Sequence, residues 1–180
     1  MKKLILLLAT FPFLLATQCD PDDSPCGRFI EIHKDDLITI ENRQTEYSLN
    51  DVLWLTASVD RNQETSDSNI DLFELDHKLY YDVVLKKESA YIEYNYLTLS
   101  TRTTVIAQGE SERNNFILIR DGNSFKNRIG IRLLESGNYT LTINNIRSYK
   151  SYNGNCNFTT FSILTDFNEM DSNSFSFVVN

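Results

Sequence analysis

From residue 28 to the C-terminus, apolar and polar residues alternate far more often than apolar residues recur at intervals of three and four. The run "DVLWLTASV" (51–59) sets Leu53, Leu55, Ala57 and Val59 on one face and Val52 and Trp54 on the other. The same period-two pattern, carried by Val, Ile, Thr, Tyr and Phe, marks "RFIEIHK", "DLITIE", "IDLFEL", "KLYYDVVLKK", "AYIEYNYLTL", "TTVIAQ", "NFILIR", "NRIGIRLL", "NYTLTINNI", "NFTTFSIL" and "SFSFVV" as strands. Turn-forming clusters such as "DRNQETSDSN", "RDGNS", "ESGN" and "SYNGN" separate them. No segment reads as an amphipathic helix. Short strands at this spacing predict an all-β domain, a sandwich or a barrel.

The first 27 residues depart from that pattern. Lys2 and Lys3 precede an apolar run from Leu4 to Leu15 that is too short to cross a bilayer and ends in smaller residues, the layout of a secretory signal. Gln18 stands where ordinary signal peptidase needs a small residue, so a cut just before Cys19 suits the stretch better. "LLATQCDPDD" (14–23) resembles the leaders of Bacteroidota lipoproteins, whose lipobox is looser than Leu-Ala-Gly-Cys. The resemblance implies a signal peptide over 1–18 and lipid on Cys19, a membrane anchor that several acyl chains hold stably. It also implies, from Asp20, Asp22 and Asp23, export toward the outer face of the outer membrane. The expected product is an outer-membrane lipoprotein on the periplasmic face or the cell surface. Residues 19–27 form its lipidated cysteine and acidic linker, and residues 28–180 a single β-sandwich domain.

Charge narrows the partners. The formal net charge is −8, and removing 1–18 takes away Lys2 and Lys3 but no acid, which leaves −10. That sign argues against nucleic acid and against a polybasic membrane patch.

One stretch favours a sandwich over a barrel. In "LLESGNYTL" (133–141), Leu133 and Leu134 lead through a Ser-Gly-Asn turn to Tyr139, with Leu141 two residues on. This resembles the tyrosine corner of immunoglobulin-like domains and implies an immunoglobulin-like antiparallel β-sandwich with extra strands. Leu141 occupies the place of the second antibody cysteine, so the antibody core disulfide is not implied. In such folds the first strand can run parallel to the last, which would bring Cys26 and Cys156 to one end. With Cys19 lipidated, these two complete the chain's three cysteines, and a structural disulfide between them is the expectation. Asp22 and Asp23 make a poor setting for a reactive thiolate at Cys26.

Candidate chemistry is sparse. Only His33 and His77 are available as catalytic bases, and neither lies near a nucleophile motif. Zinc built from Cys and His fails on count once the thiols are assigned. No cofactor and no enzyme activity are expected; a hydrolase built on two of the 25 acidic residues is the outlying alternative. In "DRNQETSDSNID" (60–71), Asp60, Asn62, Glu64 and Asp71 fall at calcium-loop spacing, but Thr65 replaces the turn glycine, and a polar loop between strands is the preferred reading. Tyr80, Tyr91, Tyr94 and Tyr96, together with Tyr81, crowd one third of the chain. They form either a ligand surface or a cross-strand aromatic ladder. Two functions follow: a non-catalytic binding or adhesion module for a glycan or an envelope protein, or an assembly partner docking through a sheet edge such as "SFSFVV".

Overall fold

The structure is a computed structural model describing residues 28–65, 68–75, 78–91, 94–148 and 159–180. Alternation sets the strands: β1 (Arg28–His33), β2 (Ile38–Ile40), β3 (Glu46–Tyr47), β4 (Val52–Asp60), β5 (Asn62–Glu64), β6 (Asn69–Asp71), β7 (Lys78–Glu88) and β8 (Tyr94–Leu97). There follow β9 (Thr104–Gln108), β10 (Glu110–Glu112), β11 (Asn115–Asp121), β12 (Ser124–Arg132), β13 (Gly137–Ile143), β14 (Ile146–Ser148), β15 (Thr159–Leu164) and β16 (Ser174–Val179). One helical turn, α1 (Leu72–Leu75), lies between β6 and β7.

Strand β7 belongs to two sheets. Its first half pairs with β11 (Tyr81 opposite Phe116) and β14 (Tyr80 opposite Arg147). Its second half pairs with β13 (Leu85 opposite Leu141) and β8 (Lys86 opposite Tyr96). The first sheet therefore runs β1-β15-β14-β7-β11-β12-β4-β2, with β9 beside β12, and the second β3-β16-β13-β7-β8. The arrangement β2-β4-β12-β9 over β8-β7-β13-β16 is the ABED-over-CFG plan of an immunoglobulin-like sandwich, with β1, β3, β10, β11, β14, β15 and the separate β5–β6 hairpin as additions. Inward positions from both layers, Leu53, Leu55, Ala57 and Val59 against Val83, Leu141 and Phe177, make one core. Tyr139 closes the expected corner: its hydroxyl donates to the Glu135 carbonyl at 2.8 Å and its ring stacks on Phe177.

Several expectations need correction. "SFSFVV" is an edge only in part: β13 covers one side of β16 along its length, and β3 runs parallel to the other side at Val178 and Val179 alone. The strand that follows Cys156 does lie parallel beside the first, as expected: β1 pairs with β15, with Arg28 opposite Thr159, although β16 and not β15 is the last strand. "IDLFEL" leaves the ladder at Asp71, whose carboxylate accepts the Phe73 N–H and starts α1. The polar "DRNQETSDSN" holds the β5–β6 hairpin, seated by the burial of Gln63 and Ile70.

Candidate functional site

The strand directions define two ends. β1 is parallel to β15, and both β14–β15 and β14–β7 are antiparallel, so β1 runs the same way as β7. Glu31, Ser162, Arg147 and Tyr80 share a level across these strands. Arg28 thus enters at the level where β7 begins, and the β7–β8 turn lies at the other end, about 35 Å away along a straight strand. The β3–β4 turn (48–51) and the β12–β13 turn (133–136) lie at that far end too, since β3 runs parallel to β7 through β16 and β13. Leu133 and Asp51 join those two turns by a backbone hydrogen bond.

The tyrosines sort by position. Tyr81, at an inward β7 position, is fully buried; its hydroxyl faces Asn127, and burial pushes its pKa up. Tyr80, on the outward side of the first sheet, is half-buried with the Arg147 guanidinium 5.4 Å from its ring centroid. Tyr91 in the β7–β8 turn is 97% exposed, and Tyr96 on β8 is 65% exposed. Tyr94 occupies β8 opposite Glu88. Tyr80 is therefore separated from Tyr91 and Tyr96, which share the far end. Beside Tyr96, register lays down one straight row: Tyr96 opposite Lys86, Lys86 opposite Thr140, Thr140 opposite Ser176. The Lys86 ammonium lies 5.2 Å from the Tyr96 ring centroid, and the Thr140 and Ser176 hydroxyls are 3.2 Å apart. A second hydroxyl pair, Thr142 and Ser174 at 2.8 Å, lies on the same outer face. Alternation alone could place Tyr96 outward, but the hydroxyl half of this row comes from segments far away in sequence, which no local pattern announces.

The far end also holds an apolar groove of about 230 Å³ between the layers, lined by Leu85, Leu97, Leu99, Leu133 and Tyr139, with Leu134 at its rim. Leu134 and Leu49 are 44% and 47% exposed there.

The calcium-spaced residues do not converge. Asp71 is forked onto Arg61 (2.5–2.9 Å), which holds its carboxyl below the usual range. Asn62 and Glu64 lie across the hairpin, opposite Asp71 and Asn69. Among the described residues no group of three or more His, Cys, Asp or Glu is arranged to hold a metal. A different acidic concentration surrounds a dish of about 370 Å³ formed where β1 and β15 end: Asp35, Asp36, Asp166, Glu169 and Asp171, with His33 bonded to Asp35 at 2.9 Å. Four of these acids are exposed and Asp166 is half-buried. Cys19, Cys26, Cys156 and His77 lie outside the described residues.

One cluster that the sequence reading left without a role centres on the chain's single tryptophan. Trp54 leans over Gly130, where an added Cβ would sit 3.1 Å from the indole, and the Arg128 guanidinium stacks 4.0 Å from the ring centroid. Arg128 forks onto Glu41 at 2.7 and 2.8 Å, and Thr56 donates to the same carboxylate. The outward place of Trp54, the one aromatic among Val52, Thr56 and Ser58, was the available signal.

No protein-family model matches the chain, and no curated protein matches it. Among solved structures it is similar to the CupB6 tip adhesin from Pseudomonas aeruginosa, with 13% identity and a TM-score of 0.23. The match covers 78% of this chain and 42% of that one, so the chain spans less than half of the adhesin's length.

Proposed function

We propose that the chain is a lipid-anchored cell-envelope module that binds its ligand without catalysis, through the end of the sandwich remote from the anchor. The observation that carries this reading is where large apolar side chains meet solvent. Among the described residues, four of the six exposed large apolar side chains, Tyr91, Tyr96, Leu49 and Leu134, lie at the far end, against Phe29 at the anchor end and Ile106 on β9. Clustered exposed aromatics and leucines mark interaction surfaces, while isolated ones do not. Arg28 enters at the opposite end, so lipid on Cys19 with 20–27 as tether would hold the aromatic end away from the membrane.

The labelled full chain should be retained by intact cells or envelope preparations, and a Tyr91→Ala, Tyr96→Ala double variant should lower the affinity about tenfold. Undiminished retention removes this reading. A second reading, docking by another envelope protein on a sheet edge, moves from β16 to β1. That strand pairs only with β15 among the described strands and carries Phe29 at 63% exposure. Loss of retention in Phe29→Glu alone would favour it.

A further inference from the structure

The outer face of the second sheet has a chemistry of its own. It is crossed by the row Tyr96–Lys86–Thr140–Ser176, about 14 Å long at the usual strand spacing, with the Thr142–Ser174 pair beside it. Where β7 lies in this sheet, and across β8, β13, β16 and β3, the outward charges are Lys86, Glu88 and Glu46, and Glu88 accepts a hydrogen bond from the Asn138 amide at 2.7 Å. The face therefore carries little charge and no excess of cations, on a chain whose net charge is −8.

That composition selects an occupant. An anionic polymer would meet an acidic molecule without an excess of cations here. A basic partner would be drawn to the acidic dish at the ends of β1 and β15 instead. A hydroxyl both donates and accepts, so the paired Thr and Ser hydroxyls keep bonding capacity for a ligand that is itself rich in hydroxyls. The exposed Tyr96 ring, with the Lys86 ammonium near it, supplies the apolar stacking surface that the flat face of a sugar ring fits. We infer that the row Tyr96, Lys86, Thr140 and Ser176 binds an uncharged polysaccharide laid across the strands. The inference rests on the binding-module reading and specifies its ligand.

The test is native affinity electrophoresis of the full chain in gels holding hydroxyethyl cellulose, laminarin or galactomannan, with alginate as the acidic counterpart. The expected result is retardation in at least one neutral gel and none in alginate. Tyr96→Ala should weaken binding about tenfold, and Thr140→Val and Ser176→Ala about threefold each, with melting points near that of the parent. Ser176 is exposed, so its variant remains informative if Tyr96→Ala folds poorly. Free migration in every neutral gel, retardation by alginate alone, or retardation that all three variants leave unchanged would overturn the inference. If cells or envelopes retain the chain while every neutral gel lets it run freely, the polysaccharide assignment falls and the binding-module reading stands. If neither retains it, both fall.

Discussion

At the residue scale, the best-defined charge contact is Glu41 with Arg128. The guanidinium hydrogen bonds to Glu41, with the Thr56 hydroxyl beside them, outweigh desolvation and hold the Glu41 carboxyl below the usual range. A carboxyl with a depressed folded-state pKa adds stability above its unfolded value of about 4.3 and loses it as pH falls through the folded value. Glu41→Gln should therefore lower the melting temperature at pH 7 by roughly 2–4 °C, the equivalent of about 1 kcal/mol in a domain of this length. The gap from the parent should narrow steadily as the buffer is taken from pH 5 toward pH 3. Scanning calorimetry across that series is the check, and a gap independent of pH would show that geometry alone, without ionisation, accounts for the contact. The same variant frees Arg128 from its fork and loosens its stack on Trp54, so emission from the single tryptophan should shift in step.

At the element scale, the feature that makes this a sandwich is the change of partners along β7, and Asn114 sits where it happens. Its side-chain amide donates to the Val83 and Leu97 carbonyls at 2.8 and 3.2 Å, and its side-chain oxygen accepts the Leu99 N–H at 3.1 Å. These are backbone groups that the departing β11 no longer serves. Asn114→Ala leaves three of them unpaired and should cost about 2 kcal/mol in urea unfolding, with Asn114→Asp, which keeps the acceptor, in between. A cost within about 0.5 kcal/mol of zero would mean that the main chain alone holds the switch. This junction also shows what the sequence can and cannot express. Alternation in "KLYYDVVLKK" marks one strand and its inward face, and Tyr139 is legible because its hydroxyl reaches only four residues upstream. Membership of β7 in two sheets depends on residues 114, 141 and 147, and no local pattern encodes such pairings. For the same reason nothing in "SFSFVV" announces β3 beside its last two residues, and alternation marks Tyr96 as a candidate where it does not mark Thr140 and Ser176. The β5–β6 hairpin has no sequence signature because its content is polar and Ile70 is its one buried apolar side chain, with the Arg61–Asp71 fork beside it.

At the scale of the whole molecule, the question is how load passes from an anchor at one end to a ligand at the other. With lipid at Cys19 and contact at the far end, tension would enter through Arg28 and act along β1, an outer strand held only by β15 among the described strands. The proposed Cys26–Cys156 disulfide would relieve that strand. Arg28 stands opposite Thr159 in parallel register, with Cys26 two residues before the one and Cys156 three before the other. Such a bridge would pass tension directly to β15 and β14 and so into β7, and its closure of a loop this long would stabilise the fold by at most about 4–5 kcal/mol. Protein purified from membranes should have a mass that begins at Cys19 and includes acyl chains. That mass should rise by two hydrogens on reduction, and the reduced protein should melt several degrees lower. A lipid-free mass would detach the far-end surface from any membrane geometry and leave three thiols to compete for one bridge. A lipidated mass unchanged by reductant would instead leave β1 held by its hydrogen bonds to β15 alone, so that pulling on the anchor would strip β1 before the core gives way.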